Sequence, residues 1–387
     1  MPASNATDPS PEAPAARPPL ALYVHIPWCV RKCPYCDFNS HPARAIPEAD
    51  YIDALLDDLD AQRPDAAGRP LVSLFIGGGT PSLFSPAAIG ALLDGIAARL
   101  SLADDIEITL EANPGTAEAE RFAGYRAAGV NRLSLGIQSF DNRHLQALGR
   151  IHDAAQARAA VAAARRAGFE RLNLDLMYGL PKQDPAGALA DLEQALALAP
   201  EHLSWYQLTL EPGTPFYRQP PPLPDDERLW AIQEAGLERL ARAGYRRYEV
   251  SAFALEGHRC RHNLNYWRFG DYLGIGAGAH GKITRAGRVW RRARERLPGR
   301  YLRDPGGGGA HWPVDAAELP LEALMNMLRL TEGVSEALFE ARTGLPVTSL
   351  EPALSELRRQ GLMAPDRLQA TPRGYDFLDR LLVEFHP

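Results

Sequence analysis

Three cysteines stand close together near the start of the chain, in the stretch LYVHIPWCVRKCPYCDF. Cys29, Cys33 and Cys36 follow the pattern C-x3-C-x2-C, and the chain of 387 residues has only four cysteines in all. A disulfide framework would need more cysteines spread along the chain, so metal or redox chemistry in a reducing compartment is the better interpretation. Three neighbouring thiols are one ligand short of a closed tetrahedral metal site. The spacing therefore raises the question of what occupies the fourth position.

Three kinds of site fit these thiols. A structural zinc ion needs four ligands, so His25 or His41 would have to complete it. A thioredoxin-like pair could form from Cys33 and Cys36, which would leave Cys29 unused. A [4Fe–4S] cluster is normally held by thiolates, and three of them leave one iron open to another ligand. Such an iron can chelate the amino and carboxylate groups of S-adenosylmethionine and deliver an electron to its sulfonium.

The segments that must position these residues alternate between strand and helix. Short apolar runs rich in Val, Ile, Leu and Tyr predict six strands, at residues 22–26, 71–76, 106–112, 132–138, 171–178 and 202–210. Helical spacing of Ala and Leu predicts helices between them, at residues 48–62, 86–100, 117–128, 153–167 and 186–198. Near-continuous apolar strands separated by helices indicate a parallel sheet buried on both faces. Because six units are two short of a closed barrel, the pattern predicts an open, partial (β/α)6 barrel, with a doubly wound open sheet as the alternative.

Polar residues collect at the carboxyl ends of the predicted strands. They are Gly77, Gly78, Gly79 and Thr80 after the second strand, Glu111 at the end of the third, Gln138 at the end of the fourth, and Asp175 near the end of the fifth. In parallel α/β folds ligands bind at that edge of the sheet. Glycines allow close approach of the backbone, and carboxylates suit a cationic ligand and its ribose hydroxyls. Each residue alone could be a cap or part of a tight turn, but their shared position predicts a binding rim.

Longer motifs make this pattern specific. The cysteine motif after a first strand, with GGGTP after the second, resembles the radical S-adenosylmethionine superfamily. The stretches LYVHIPWCVRKCPYCDFNSH, GGGTPSLF, EANPGT, LSLGIQSF, LGRIH, NLDLMYGLPKQ and HNLNYW together resemble the HemN/HemW family, over nearly everything from Leu20 to the C-terminus. That family contains an oxygen-independent coproporphyrinogen III oxidase, which acts in porphyrin biosynthesis, and a heme chaperone. The resemblance implies a partial (β/α)6 radical S-adenosylmethionine barrel followed by a small C-terminal α+β domain.

The resemblance also implies which residues hold the cofactors. The [4Fe–4S] cluster would be bound by Cys29, Cys33 and Cys36. S-adenosylmethionine would be contacted by Tyr23, Tyr35, Gly78, Gly79, Thr80, Glu111, Gln138, Arg150 and Asp175. These assignments carry the family's motif positions onto the matching residues of this sequence.

Two features favour the chaperone over the oxidase. In the oxidase another cysteine lies two residues after the third cluster cysteine, and Phe38 takes that position here. HNxxYW resembles the chaperone's heme-binding motif, which implies heme contacts by His262, Asn263, Tyr266 and Trp267. An imidazole can ligate heme iron, and aromatic side chains can pack on the porphyrin face. The prediction is therefore a heme chaperone without coproporphyrinogen III oxidase activity, and the alternative is a radical oxidase of coproporphyrinogen III.

The partners implied by a heme chaperone are heme and heme-accepting proteins, such as components of a respiratory chain. The chain is also a candidate for a homodimer. A net charge of −6 gives no general attraction to nucleic acid, which is not an expected partner. No apolar run approaches the roughly 18 residues of a membrane span, so membrane association would be peripheral at most. Since signal-peptide features are also lacking, we expect a cytoplasmic protein.

The composition divides the chain into four parts. Residues 1–19 form a Pro- and Ala-rich tail predicted to be disordered, and residues 20–225 form the barrel. Residues 226–312 form a connecting region with the HNxxYW motif, an arginine-rich segment at 288–303 and a Gly-rich connector. Residues 313–387 form the C-terminal HemN-type domain, with helices predicted at 321–330, 335–343 and 350–360 and a hairpin at 362–370. These elements suggest a winged-helix-like module, but its excess of acidic residues argues against DNA binding.

Overall fold

The computed structural model describes residues 17–386, apart from the side chains of residues 116–118. The predicted disordered tail, residues 1–19, lies outside the described residues except for its last three. Within the described part, no helix is both long and apolar enough to cross a membrane.

One large sheet dominates the structure. Twelve of the described strands form it, in the order β14-β13-β12-β11-β1-β4-β5-β6-β7-β8-β10-β9, and β2 pairs separately with β3. The strands are β1 (Leu20–Ile26), β2 (Trp28–Cys29), β3 (His41–Pro42), β4 (Leu71–Gly78), β5 (Leu102–Ala112), β6 (Arg132–Gln138), β7 (Leu172–Tyr178), β8 (His202–Gln207), β9 (Arg246–Glu249), β10 (Ala252–Ala254), β11 (Asp271–Ile275), β12 (His280–Arg285), β13 (Arg288–Ala293) and β14 (Ala310–Pro313).

Helices connect the strands and form the C-terminal module. They are α1 (Glu48–Ala66), α2 (Pro86–Ala97), α3 (Thr116–Ala127), α4 (Asn142–Ala147), α5 (Ala154–Arg166), α6 (Pro185–Ala197), α7 (Pro215–Arg218), α8 (Asp226–Arg242), α9 (Arg261–Trp267), α10 (Pro298–Tyr301), α11 (Leu319–Met327), α12 (Glu336–Thr343), α13 (Ala353–Arg359), α14 (Pro372–Asp376) and α15 (Leu378–Val383). Local chemistry fixes several starts: in α5 the Asp153 carboxylate accepts from Gln156 N at 2.8 Å while the Gln156 side chain accepts from Asp153 N at 3.0 Å.

The partial (β/α)6 barrel is confirmed. The six predicted strands are β1, β4, β5, β6, β7 and β8, and each pairs in parallel with the next. Helices α1, α2, α3, α5 and α6 lie between them in the chain, as predicted. Their buried apolar side chains and those of the strands form one core cluster. Because every parallel strand points the same way, the carboxyl ends of all six open onto one rim.

The sequence did not predict that the sheet continues on the side of β1 opposite β4. Strand β11 pairs in parallel with β1, from Leu20 opposite Asp271 to Val24 opposite Ile275, as a seventh parallel strand. Strands β12, β13 and β14 extend it in antiparallel fashion. The Gly-rich stretch expected to be a flexible connector ends in β14, so its last part is a paired edge strand. The sheet thus crosses the predicted boundary between residues 225 and 226.

Several arginines of the arginine-rich segment serve the fold. Arg291 pairs with Glu322 at 2.5 Å, Arg292 pairs with Asp65 at 3.3 Å, and Arg294 pairs with Asp58. The Asp58 side chain is fully buried, and removing the partner of a buried carboxylate is strongly destabilising. These three side chains are therefore occupied inside the molecule, whereas Arg288 and Arg296 are exposed.

The C-terminal module has its own buried cluster. Helices α11, α12 and α13 match the three predicted helices, and the Met363–Ala370 bridge lies inside the predicted hairpin. Leu264 and Phe269, in and just after α9, belong to the same cluster. Helix α9 therefore packs between this module and the sheet.

Candidate functional site

The cysteine loop lies between β1 and α1 and is closed at its base. Strands β2 and β3 pair Trp28 with His41 and Cys29 with Pro42. Backbone hydrogen bonds from His41 N to Pro27 O, at 2.7 Å, and from Ala43 N to Cys29 O, at 3.1 Å, hold the two ends together. The loop is therefore a fixed feature at the carboxyl end of β1.

Each thiol of the loop has its own polar neighbour. Thr80 Oγ1 donates to Cys29 Sγ at 3.5 Å, and Cys36 Sγ lies 3.8 Å from Ser40 Oγ. The sequence expectation did not foresee that Arg150 Nη1 donates to Cys33 Sγ, at 3.7 Å. Burial raises the pKa values of the Cys29 and Cys36 thiols, so both are neutral until a metal replaces the proton. All three cysteines are free of disulfide bonds.

The geometry argues against the zinc alternative. Among residues 17–386, no group of three or more His, Cys, Asp or Glu side chains is arranged to hold a single metal ion. Both ring nitrogens of His25 are engaged, Nδ1 with Tyr23 OH and Nε2 with Asn39 O, each at 2.9 Å. In a [4Fe–4S] cluster each thiolate binds a different iron, so the three sulfurs need not converge on one point. The loop therefore fits a cluster better than a zinc ion.

A polar chain connects the thiols to the rim. Asn113 Nδ2 donates to Thr80 Oγ1 at 2.9 Å, and Arg150 Nη2 donates to Asn113 Oδ1 at 2.5 Å. Arg150 also donates to Gly136 O at 2.9 Å, while its buried Nε has no hydrogen-bond partner among the described residues. A buried guanidinium N–H without a partner is a donor available to an anionic group of a ligand. Asn113 was missed by the sequence analysis, although it lies in the quoted motif EANPGT.

The glycine loop approaches the cysteine loop closely. Gly79 N donates to Ile26 O and Thr80 N donates to Trp28 O, each at 2.7 Å. Gly78 has φ of +113°, and a Cβ there would lie 2.6 Å from Cε1 of His25. The sequence analysis expects the glycines to let the backbone approach the cofactor, whereas the structure shows that a side chain at Gly78 would first collide with the His25 ring.

Two half-buried carboxyl groups lie at the strand ends. Glu111 Oε2 accepts from Gly78 N at 3.1 Å, and Asp175 accepts from Ser134 Oγ at 3.1 Å and Asn173 Nδ2 at 2.7 Å. Burial, and then repulsion from Asp175, raise the pKa of Glu111 to about 8. Glu111 is therefore largely protonated at pH 7 in the protein without ligand.

The remaining predicted rim residues lie farther round the barrel. Gln138 has φ of +68°, and its Oε1 accepts from Tyr206 OH at 2.9 Å. The ring of Tyr35 lies 6.4 Å from the ring of Phe216, on the side of the cysteine loop that faces the segment after β8. Burial raises the pKa of the Tyr35 phenol, and the nearby Arg150 lowers it. The effect of burial is the larger one, so the hydroxyl stays protonated.

A cavity of about 500 Å³ opens beside β1. Its lining includes three predicted cofactor contacts, Tyr23, Gly78 and Glu111, together with His25. The rest of the lining is formed by Phe38, Asn39, Tyr266, Tyr272, Gly278, His280 and Arg296. The cavity therefore joins the rim to Tyr266 of the HNxxYW motif, although Gln138, Arg150 and Asp175 are not in its lining.

The HNxxYW motif lies on helix α9, which a buried carboxylate holds in place. Glu107, 1% exposed, accepts from Arg261 N at 2.9 Å and from His262 N at 3.3 Å. It also accepts the Cys260 thiol at 3.5 Å and pairs with Arg171 at 2.9 Å. Negative charge at a helix N-terminus is favourable, so Glu107 fixes both the start and the direction of α9.

The structure does not present His262 as a free ligand. His262 is 1% exposed; its Nδ1 lies 3.1 Å from Ser73 Oγ and its Nε2 lies 2.9 Å from Tyr266 OH. Burial, and then Arg132, lower the pKa of His262 to about 3, so the ring is neutral. Both ring nitrogens are occupied inside the fold, so ligation of heme iron by His262, which stays a prediction, would require one of these hydrogen bonds to break.

The other motif residues divide between two surroundings. Tyr266 lines the cavity, whereas Trp267 packs against the C-terminal cluster and carries the Arg329 guanidinium 4.3 Å from its ring centroid. Asn263 is half-buried on α9. Cys260 is 1% exposed, and burial raises the pKa of its thiol to about 12, which makes it an inert thiol. Only Tyr266 of the motif therefore reaches the cavity.

The fold and the three-cysteine loop define a protein of the radical S-adenosylmethionine class. Residues 23–195 match the radical SAM superfamily, and residues 314–377 match the HemN C-terminal domain. The chain is 52% identical to the heme chaperone HemW of Escherichia coli strain K12, over 95% of this chain and 98% of that protein. It is 38% identical to the mouse mitochondrial radical S-adenosyl methionine domain-containing protein 1, over 98% of this chain and 89% of that protein. The chain belongs to the HemW branch of the HemN/HemW family.

A solved structure supports the fold. The coproporphyrinogen III oxidase HemN of Escherichia coli superimposes with a TM-score of 0.80, covering 95% of this chain and 90% of that chain. At 24% identity this likeness shows the shared fold alone. It agrees with the partial barrel and the C-terminal module described above.

Replacing Gly78 tests where the cofactor lies. Gly68 and Gly78 both have positive φ, but a Cβ at Gly68 would meet nothing within 4 Å. Gly68→Ala should cost only backbone strain, about 1–2 kcal/mol of the free energy of unfolding. Gly78→Ala must also displace the His25 ring, so it should lose most affinity for S-adenosylmethionine while keeping its iron. Calorimetric affinity equal to wild type in the Gly78 variant would contradict this placement.

Glu111 predicts a pH dependence of cofactor binding. Because the pKa of Glu111 is about 8 in the free protein, binding of the cationic sulfonium at pH 7 should release a proton from it. Affinity should fall as the pH drops below about 8, since the protonated carboxyl offers no charge. Calorimetry in two buffers of different ionisation enthalpy measures the released proton. Glu111→Gln should bind without this release, and an unchanged release would show that another group titrates.

Proposed function

We propose that this chain is a heme chaperone that holds a [4Fe–4S] cluster and S-adenosylmethionine and delivers heme to acceptor proteins. The observation that carries the proposal is one cavity whose lining comes from both the predicted cofactor rim and the HNxxYW helix. Its relatives of 52% and 51% identity bear the name heme chaperone HemW. A cavity of about 500 Å³ falls within the roughly 300–1,000 Å³ typical of cofactor sites.

The cluster would be held by Cys29, Cys33 and Cys36. When bound, its open iron can chelate S-adenosylmethionine and deliver an electron to the sulfonium. Arg150, which donates to Cys33 Sγ, would stabilise the negative charge that ligation creates. Thr80 does the same for Cys29.

S-adenosylmethionine would lie along the rim. Tyr23, Gly78 and Glu111 belong to the lining of the cavity. The unpartnered Nε of Arg150 suits an anionic group such as the methionyl carboxylate, and Glu111 suits the cationic part. The other rim positions we assign to this cofactor are Tyr35, Gly79, Thr80, Gln138 and Asp175. Tyr35 and Gln138 would act from outside the cavity, beyond the polar chain.

Heme would bind at the mouth of the cavity and extend beyond it, since S-adenosylmethionine would take part of the cavity's volume. Tyr266 and Tyr272 lie with their ring centroids 4.5 Å apart and offer an aromatic wall. Within the HNxxYW motif, Tyr266 would touch the porphyrin, and His262 would hold the Tyr266 hydroxyl in place from behind. Asn263 and Trp267 would act through the position of α9, since Trp267 faces the C-terminal cluster.

The setting follows from this function. We assign the acceptors to heme proteins such as respiratory-chain components and the location to the cytoplasm, with membrane association peripheral at most. A homodimer is compatible with delivery but is not required by the cavity. We further assign residues 20–225 to the barrel, 226–312 to the connecting region that carries the heme motif, and 313–387 to the C-terminal HemN-type domain.

Cluster binding is tested by cysteine replacement. Anaerobically reconstituted protein should contain about four irons with matching sulfide. Cys29→Ala, Cys33→Ala and Cys36→Ala should each lose the cluster, because every thiolate holds a separate iron. Cys260→Ala is the matched control, since that thiol is buried beside Glu107 and far along the chain from the loop. Stoichiometric zinc without sulfide in the wild type would overturn the assignment.

Heme binding and oxidase activity are tested together. The wild type should bind hemin and transfer it to an apo-acceptor, and it should not convert coproporphyrinogen III when cluster, reductant and S-adenosylmethionine are supplied. Tyr266→Ala should weaken hemin binding through lost ring packing, whereas Trp267→Ala should weaken it less and lower stability more. Purified oxidase of the HemN type serves as the positive control for turnover. Robust turnover by the wild type without hemin binding would favour the oxidase alternative.

A further inference from the structure

The cavity has two histidines in its lining, and only one of them has a free ring. His25 and His280 both line it, but His25 uses both nitrogens in hydrogen bonds to Tyr23 OH and Asn39 O. His280 is the first residue of β12, opposite Ala293 of β13, and its side chain is exposed. Within the described part of the chain, its ring nitrogens have no hydrogen-bond partner. A lone pair is therefore available at the cavity mouth.

The protonation state of His280 suits ligation as well. Burial of part of the ring, and then Arg291 and Arg296, lower its pKa, so the imidazole is neutral at pH 7. Neutral imidazole is the form that binds iron. By contrast, the ring of His262 would have to give up Ser73 and Tyr266 before it could bind any metal.

The surroundings of His280 fit the rest of an iron porphyrin. Phe38 is 61% exposed at the same cavity, so its ring is free to contact a ligand that enters there. Arg296 is exposed in the same lining, and no carboxylate of the described residues forms an ion pair with it. A ring for the porphyrin face, a guanidinium for a propionate and an imidazole for the iron are thus present together.

We propose that His280 is the axial ligand of the heme iron, with Arg296 binding a heme propionate and Phe38 covering one porphyrin face. This assignment rests on the proposed chaperone function and replaces His262 as the iron ligand. His262 becomes a positioning residue that holds Tyr266. Phe38 lies two residues after the third cluster cysteine. In this arrangement its apolar ring contacts the heme.

The test is a hemin titration read by absorbance, with His280→Ala compared with the wild type. The variant should lose the imidazole-ligated Soret spectrum, and added free imidazole should restore it by filling the vacated space. Iron and sulfide content should stay at the wild-type level, because His280 is exposed and contacts no cluster cysteine. A wild-type spectrum in His280→Ala, with loss of that spectrum in His262→Ala, would overturn the assignment while leaving the chaperone function intact.

The propionate contact has its own comparison. Arg296→Ala should bind hemin more weakly than the wild type, and this difference should vanish with hemin dimethyl ester, whose propionates are uncharged. Arg288→Ala is the matched control, since Arg288 is exposed at the opposite end of β13. An equal loss for both hemin forms would overturn the Arg296 contact. Failure of the wild type to bind hemin at all would instead overturn the chaperone function itself.

Discussion

The close packing of three loops around His25 is the constraint on which the site depends. His25 is 5% exposed at the end of β1, where its carbonyl accepts from Tyr51 OH at 2.8 Å. The loop after β4 passes so near that a Cβ at Gly78 would lie 2.6 Å from the ring. The loop after β11 passes on the other side, where a Cβ at Gly276 would lie 2.3 Å from the His25 carbonyl oxygen. Both glycines have positive φ, so backbone shape and lack of a side chain are required together.

This packing explains why strand β1 lies beside both the proposed S-adenosylmethionine contacts and the proposed heme contacts. Strand β1 pairs with β4 on one side and with β11 on the other, and it ends in the cysteine loop. The β4 side brings the glycine loop and Glu111. The β11 side brings β12, which begins with His280. The relative positions of the cysteine loop, the cofactor rim and the rest of the cavity lining therefore depend on how β1 pairs with β4 and β11.

Much of this could be predicted from the sequence, because local signals were strong. The six parallel strands appeared as apolar runs, and the thiols and GGGT loop appeared as motifs with characteristic spacing. Helix α8 was missed although its buried residues Ile232, Gly236 and Leu240 recur every four residues. Strand β11 was missed because a short strand such as Asp271–Ile275 with two glycine neighbours has little pattern of its own. Its strand identity comes from pairing with β1, which is a tertiary contact. Asn113 was missed for a related reason: its role depends on reaching both Thr80 and Arg150, which are distant in sequence.

The heme contact predicted for His262 likewise depends on tertiary contacts that a motif does not reveal. A motif states which residues recur together, but not which of them face a ligand. Here Glu107 fixes α9 so that Tyr266 faces the cavity while the His262 ring stacks 5.1 Å from Phe75. A buried neutral imidazole with two hydrogen bonds is costly to expose, because Ser73 would lose its partner as well. An exposed imidazole at the mouth has no such cost, and an acceptor protein can approach it from solvent. Since a chaperone must release its cargo, weak retention by a surface histidine suits transfer better than burial beneath the cofactor rim does.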